Sequence, residues 1–151
     1  MPVRNKLRGS YWIVCLGLMG VLGVPLAAAQ QTVTMDVLLI HASDRPAALD
    51  TRLDRVEFRL RRIFGFEHYG FLQQERTLLT LPTQTRVRLV TGHVVQLRAE
   101  RLNGRIRAHI EWYQDQERLV ATTITQRRGV PAILGGPPHD EGNLILVLEF
   151  E

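Results

Sequence analysis

Cysteine is almost missing from this chain. The single cysteine, Cys15, sits inside an apolar N-terminal run. The rest of the chain therefore has no disulfide, no thiolate metal site and no cysteine nucleophile. Lysine is equally scarce, and every basic residue after Lys6 is arginine. The arginine fork suits carboxylates and phosphates, so this bias leaves anion recognition open. Catalytic signatures are absent as well. There is no His-Glu-x-x-His, no Gly-x-Ser-x-Gly and no Gly-x-x-x-x-Gly-Lys-Ser/Thr. Zincin, nucleophile-elbow and phosphate-loop chemistry have no local support. No cofactor motif is present either, and the sequence points away from an enzyme.

The N-terminus carries the clearest signal. Arg4, Lys6 and Arg8 precede an apolar run from Tyr11 to Leu26, and Ala27-Ala28-Ala29 precede Gln30. A basic start, an apolar stretch and small residues before the cut predict a secretory signal peptide cleaved after Ala29. The alternative is an uncleaved inner-membrane anchor, because Tyr11 to Ala29 approaches the roughly 20 residues that cross a bilayer. The expected organisation is a signal over residues 1–29 and a single β-rich domain over 30–151, in an exported bacterial protein, periplasmic or secreted. Three of the 19 basic residues lie in the signal, so 16 face 15 acidic residues afterwards. That near-neutral balance argues against nucleic acid as a partner.

Apolar periodicity sets the expected fold. Thr32 to Ile40 alternates as a strand whose far end is apolar on both faces, which marks a central strand, with a break at His41. Ala47 to Phe64 places Leu49, Leu53, Val56, Leu60, Ile63 and Phe64 on one stripe of a helix. Asp50 or Thr51 suits its start, Gly65 its left-handed end, and Phe66 can fold back onto Leu60. Phe58 points off the stripe. Glu67 to Leu81 reads as strands around Tyr69–Leu72 and Thr77–Leu81 with a polar turn between them, and Pro82 ends the second.

Asn103-Gly104 is a strong type I′ hairpin signal, because both positions of that turn need positive φ. Closing Leu102 on Arg105 pairs the flanks out to Val95 with Trp112. It sorts Val95, Leu97, Ala99, Ala108, Ile110 and Trp112 onto one face, and Gln96, Arg98, Glu100, Arg107, His109 and Glu111 onto the other. Further strands are expected at Arg86–Val90 and Arg118–Gln126. The fold class is α+β, a predominantly antiparallel sheet or β-sandwich with one amphipathic helix.

Candidate sites are few. Arg128 to Phe150 reads as a final hairpin: an apolar run Val130–Leu134, a stiff loop Gly135–Asn143, and a closing strand Leu144–Phe150. Two glycines open the backbone angles and two prolines then fix them, which makes a shaped loop. Gly135, Gly136, Pro137, Pro138, His139, Asp140 and Glu141 form the candidate binding surface. A metal-binding or metal-assisted hydrolytic alternative uses His139, Asp140 and Glu141 together with His41. Arg98, Arg107 and His109 offer a surface for an anionic glycan or lipid headgroup, opposed by Glu100 and Glu111 on the same face. The stretch Arg128 to Gly136 resembles the short Gly-then-Leu-Gly-Gly hairpin near the end of the secretin channel domain. The resemblance is confined to that stretch, since the secretin domain is much longer and has a pore-forming hairpin region absent here. It implies a role beside an envelope assembly, with another envelope or secreted protein as partner.

Overall fold

The computed structural model describes residues 30–48 and 50–151. The expected signal peptide and cleavage site, and Leu49, lie outside the described residues. Strand β1 spans Gln31–Ser43. A short 3-10 turn, Thr51–Leu53, runs into helix α1, Asp54–Phe64. Then follow β2 (His68–Leu81), β3 (Thr83–Arg88), β4 (Val94–Leu102), β5 (Arg105–Gln114), β6 (Glu117–Gln126), β7 (Ala132–His139) and β8 (Gly142–Phe150). They form two four-stranded antiparallel sheets, ordered β2-β1-β8-β7 and β3-β4-β5-β6. Neighbours in sequence are neighbours in space except at the β2/β3 and β6/β7 seams, and β8 returns to pair with β1.

Alternation along the strands builds two apolar layers. Val33, Met35, Val37 and Leu39 of β1 join Leu144, Leu146, Leu148 and Phe150 of β8 on one face. That face meets Val95, Leu97, Ala99, Ala108, Ile110 and Trp112 of the second sheet. The intervening residues, Leu38, Ile40, Ala42, Ile145 and Val147, face the other way and pack against Leu53, Val56 and Leu60 of the helical segment. The order of layers is helix, first sheet, second sheet. Burial on both faces explains why β1 and β8 read as near-continuous apolar runs; β1 is the central strand expected, and β8 is central beside it.

The Asn103-Gly104 turn has φ of 50° and 76°. The register it dictates holds from Leu102↔Arg105 to Val95↔Trp112. Gly65 ends α1 at φ 69°, and the Asp50 carboxylate accepts from the Arg52 amide at the start of the helical segment.

Four boundaries depart from expectation. β1 does not break at His41 but continues to Ser43, because β8 and β2 both extend far enough to pair it. β2 is one strand rather than two with a turn. Leu72 is its extra residue, since Leu39 pairs with Gln73 and Ile40 with Phe71, so a bulge absorbs the irregularity read as a turn. The helical segment starts at Thr51, not Ala47. β3 ends at Arg88, and Val90 belongs to the following turn.

Ile63 was placed on the buried stripe but is 59% exposed, whereas Leu60 is 0% exposed. Phe58 is exposed at the solvent pole of the helix. Leu60→Ala should cost about 2–5 kcal/mol, as for a cavity in a packed layer. Ile63→Ala should change stability by less than about 0.5 kcal/mol. Denaturant unfolding of the two variants distinguishes these positions, and equal losses would contradict the assigned helix face.

Candidate binding face

The Gly135–Asn143 segment is not a loop. β7 continues through Gly135, Gly136, Pro137 and Pro138 to His139, and only Asp140 and Glu141 form the turn into β8. The two glycines serve packing on opposite faces. A Cβ on Gly135 would lie 3.2 Å from the Phe64 ring of α1. A Cβ on Gly136 would lie 2.4 Å from the Trp112 indole and 2.9 Å from the Leu144 carbonyl oxygen. Neither glycine has a positive φ. The prolines fall at an irregularity between Gly135 and Pro138 on an edge strand, where a missing N–H is tolerated. The glycine-proline run is thus strand packed against both layers and not a loop.

His139, Asp140 and Glu141 do not converge. Glu141 turns to Arg45 in an exposed ion pair, and Asp140 Oδ2 lies 3.6 Å from His139 Nε2. His41 and His139 do come together. The rings sit edge-on at 6.0 Å, and His41 Nε2 is 3.1 Å from the His139 carbonyl oxygen. His93, from the β3–β4 connection, adds a third ring 6.1 Å from His139 and 6.0 Å from Trp112. No local pattern announces His93, because its neighbours are set by how the two sheets face each other.

His93 is 3% exposed, and its Nδ1 is 2.8 Å from the Thr91 hydroxyl. Burial, reinforced by His139 and opposed by Asp115, holds it below the ordinary histidine range. Among the described residues, no group of three or more His, Cys, Asp or Glu side chains is arranged to hold a metal ion. The histidines close one end of the inner core.

The other predicted cluster lies on the outer face of the second sheet. Arg98, Arg107 and His109 border one depression of about 480 Å³, with Gln84 and Glu100 beside them. A second depression, about 240 Å³, is bordered by Arg86, Gln96, Tyr113 and Asp115. Register explains the grouping, since Gln84 pairs with Arg98 and Arg86 with Gln96. Arg86 was missed as a site residue, although its alternation with Val87 is readable; what was lacking was the pairing of β3 with β4.

Two of the carboxylates on this face are already engaged, while Asp115 beside the second depression pairs with no cation among the described residues. Glu100 pairs with Arg107 at 3.4 Å, as the hairpin register predicts, and Glu111 pairs with Arg118 at 3.0 Å. The Arg118 hydrogen bond holds the Glu111 carboxyl below its usual range. His109 Nδ1 lies 2.9 Å from the Thr123 hydroxyl. Arg86, Arg88 and Arg98 have no acidic partner among the described residues. Comparison with known proteins finds no matching family model, no matching curated protein and no matching solved structure.

Gly136→Ala should destabilise the fold by about 1–3 kcal/mol, because the added methyl collides with Trp112 and with backbone. A denaturation midpoint equal to that of the parent chain would contradict the close approach. His93 sets a pH dependence. Since its folded-state pKa lies below the unfolded value, its contribution to stability is complete above that value and is lost as pH falls through the folded one. Thermal melts should therefore drop on acidification from about pH 8 towards 5, starting near the ordinary histidine pKa. The drop should be smaller in His93→Gln, and an unchanged slope would rule out His93 as its source.

Proposed function

We propose that this chain is an exported binding module that recognises anionic groups on the open face of its second sheet. One observation carries the reading: both depressions occupy the sheet face that, among the described residues, no helix or second sheet covers. Arginines without acidic partners border them, and a guanidinium presents a planar fork to a carboxylate, sulfate or phosphate. The carboxylates of Glu100 and Glu111 are drawn off by Arg107 and Arg118. The N-terminal basic-apolar-small pattern supports export, and the secretin-like stretch favours a place beside an envelope assembly.

Retention on an immobilised sulfated or carboxylated matrix tests the reading. Binding should weaken steeply as salt is raised, because exposed charge contacts are screened. Arg98→Gln should elute at lower salt than the parent chain, while Arg59→Gln, on the helix at the opposite side, should not. Elution of the parent chain and Arg98→Gln at the same salt would defeat the assignment. Export predicts a mature chain beginning at Gln30, read by mass spectrometry of protein from the periplasmic fraction. Recovery of intact chain in the inner-membrane fraction would support the anchored alternative.

A further inference from the structure

The two depressions share one sheet face, and the residues around them specify more than negative charge. We infer that the ligand is an extended acidic glycan lying along β4 and spanning both depressions, an inference that rests on the anion-binding reading above. Outward-facing positions on β4 run Glu100, Arg98, Gln96 and Val94. They recur at about 7 Å intervals, so the row covers roughly 20 Å. The first depression touches the Arg98 end of this row and the second touches Gln96 and Val94. Arg98 and Arg86 lie on a register diagonal, through the pairs Gln84↔Arg98 and Arg86↔Gln96. Their Cα atoms are therefore about 7–8 Å apart. Arg88 continues the β3 row one repeat further. A ligand with a single anionic group would use one arginine and leave the others idle. A chain with an acidic group on successive units would meet them in turn.

The neutral residues favour a sugar chain over other polyanions. Gln84 and Gln96 stand beside the two arginines and offer amide donors and acceptors suited to sugar hydroxyls. Among the described residues, Tyr113 and the His109 imidazole are the aromatic rings bordering the depressions, one at each. A single-stranded nucleic acid would need a series of stacking rings. A lipid surface would call for apolar side chains that enter the bilayer boundary. Of the exposed large apolar residues among the described ones, Val90 alone lies on this sheet, in the β3–β4 turn, while Phe58, Ile63, Leu78 and Val130 lie on α1, on β2 and in the β6–β7 connection, so the face carries no apolar patch that could enter a bilayer.

Titration calorimetry of the full chain tests this with galacturonate monomer, short and long oligogalacturonates, the methyl-esterified long oligomer, and polyphosphate. Affinity should rise with oligomer length and level off once both depressions are spanned. Arg86→Gln and Arg98→Gln should each weaken the long oligomer by about tenfold, in line with the loss of a charge-assisted hydrogen bond. Arg59→Gln should bind as the parent chain does. Both affected positions are exposed, so unchanged melting curves confirm that folding is not the cause. Equal affinity for monomer and long oligomer would overturn the extended ligand and leave the anion-binding face standing. Polyphosphate binding as tightly as the long oligomer would overturn the sugar chemistry alone. Binding of the methyl ester as tight as that of the free acid, or no binding by any probe, would overturn both readings.

Discussion

Everything in this molecule depends on β1 and β8 being buried from both sides. Their inward residues meet the second sheet and their alternate residues meet α1, so one strand pair belongs to two apolar layers at once. The price is polarity. On the helix side of the first sheet, Asp36 and Glu149 stand opposite each other across the β1–β8 pair, both buried. Asp36 accepts hydrogen bonds from Gln74 and Arg76, and Glu149 lies 3.3 Å from Arg55 of α1. These contacts satisfy two carboxylates that would otherwise be costly to desolvate. They also bind the helix to the sheet it covers.

With the first sheet covered twice, the open polar sheet face among the described residues is that of the second sheet. Its inner face supplies core residues, and its outer face is polar by the same alternation. The β4–β5 turn sorts the residues of β4 and β5, and the β3–β4 register brings Gln84 and Arg86 to the two depressions. The glycine pair in β7 belongs to this division of labour as well. Gly136 lets the Trp112 indole approach the first sheet, and Gly135 sits beside Phe64 on the opposite side. The segment with the most unusual composition is therefore a joint between layers.

Local rules made much of this readable. Asn103-Gly104 specified a hairpin register that holds pair by pair, and the two-sided apolar runs marked the central strands. What escaped reading depended on partners distant in sequence. β2 looked like two strands because a bulge and a turn leave similar local traces, and only the length of β1 decides between them. Ile63 fits the helical stripe by spacing, yet the sheet beneath does not reach it. Arg98, Arg107 and His109 were found because their grouping follows from one turn. Arg86 was not, because it joins the face through the separate β3–β4 register. His93 reaches His139 only through the facing of two sheets.

The return of β8 to β1 has a kinetic meaning. Strands β3 to β6 each pair with the next strand in the chain, so the second sheet can assemble from short-range hairpins. The first sheet must instead bring Met35 against Phe150, across almost the whole described chain. Closing so long a loop costs conformational entropy before any packing compensates for it. The second sheet is thereby suited to form early as a template, and closure of β8 onto β1 to be the late event that completes both apolar layers together.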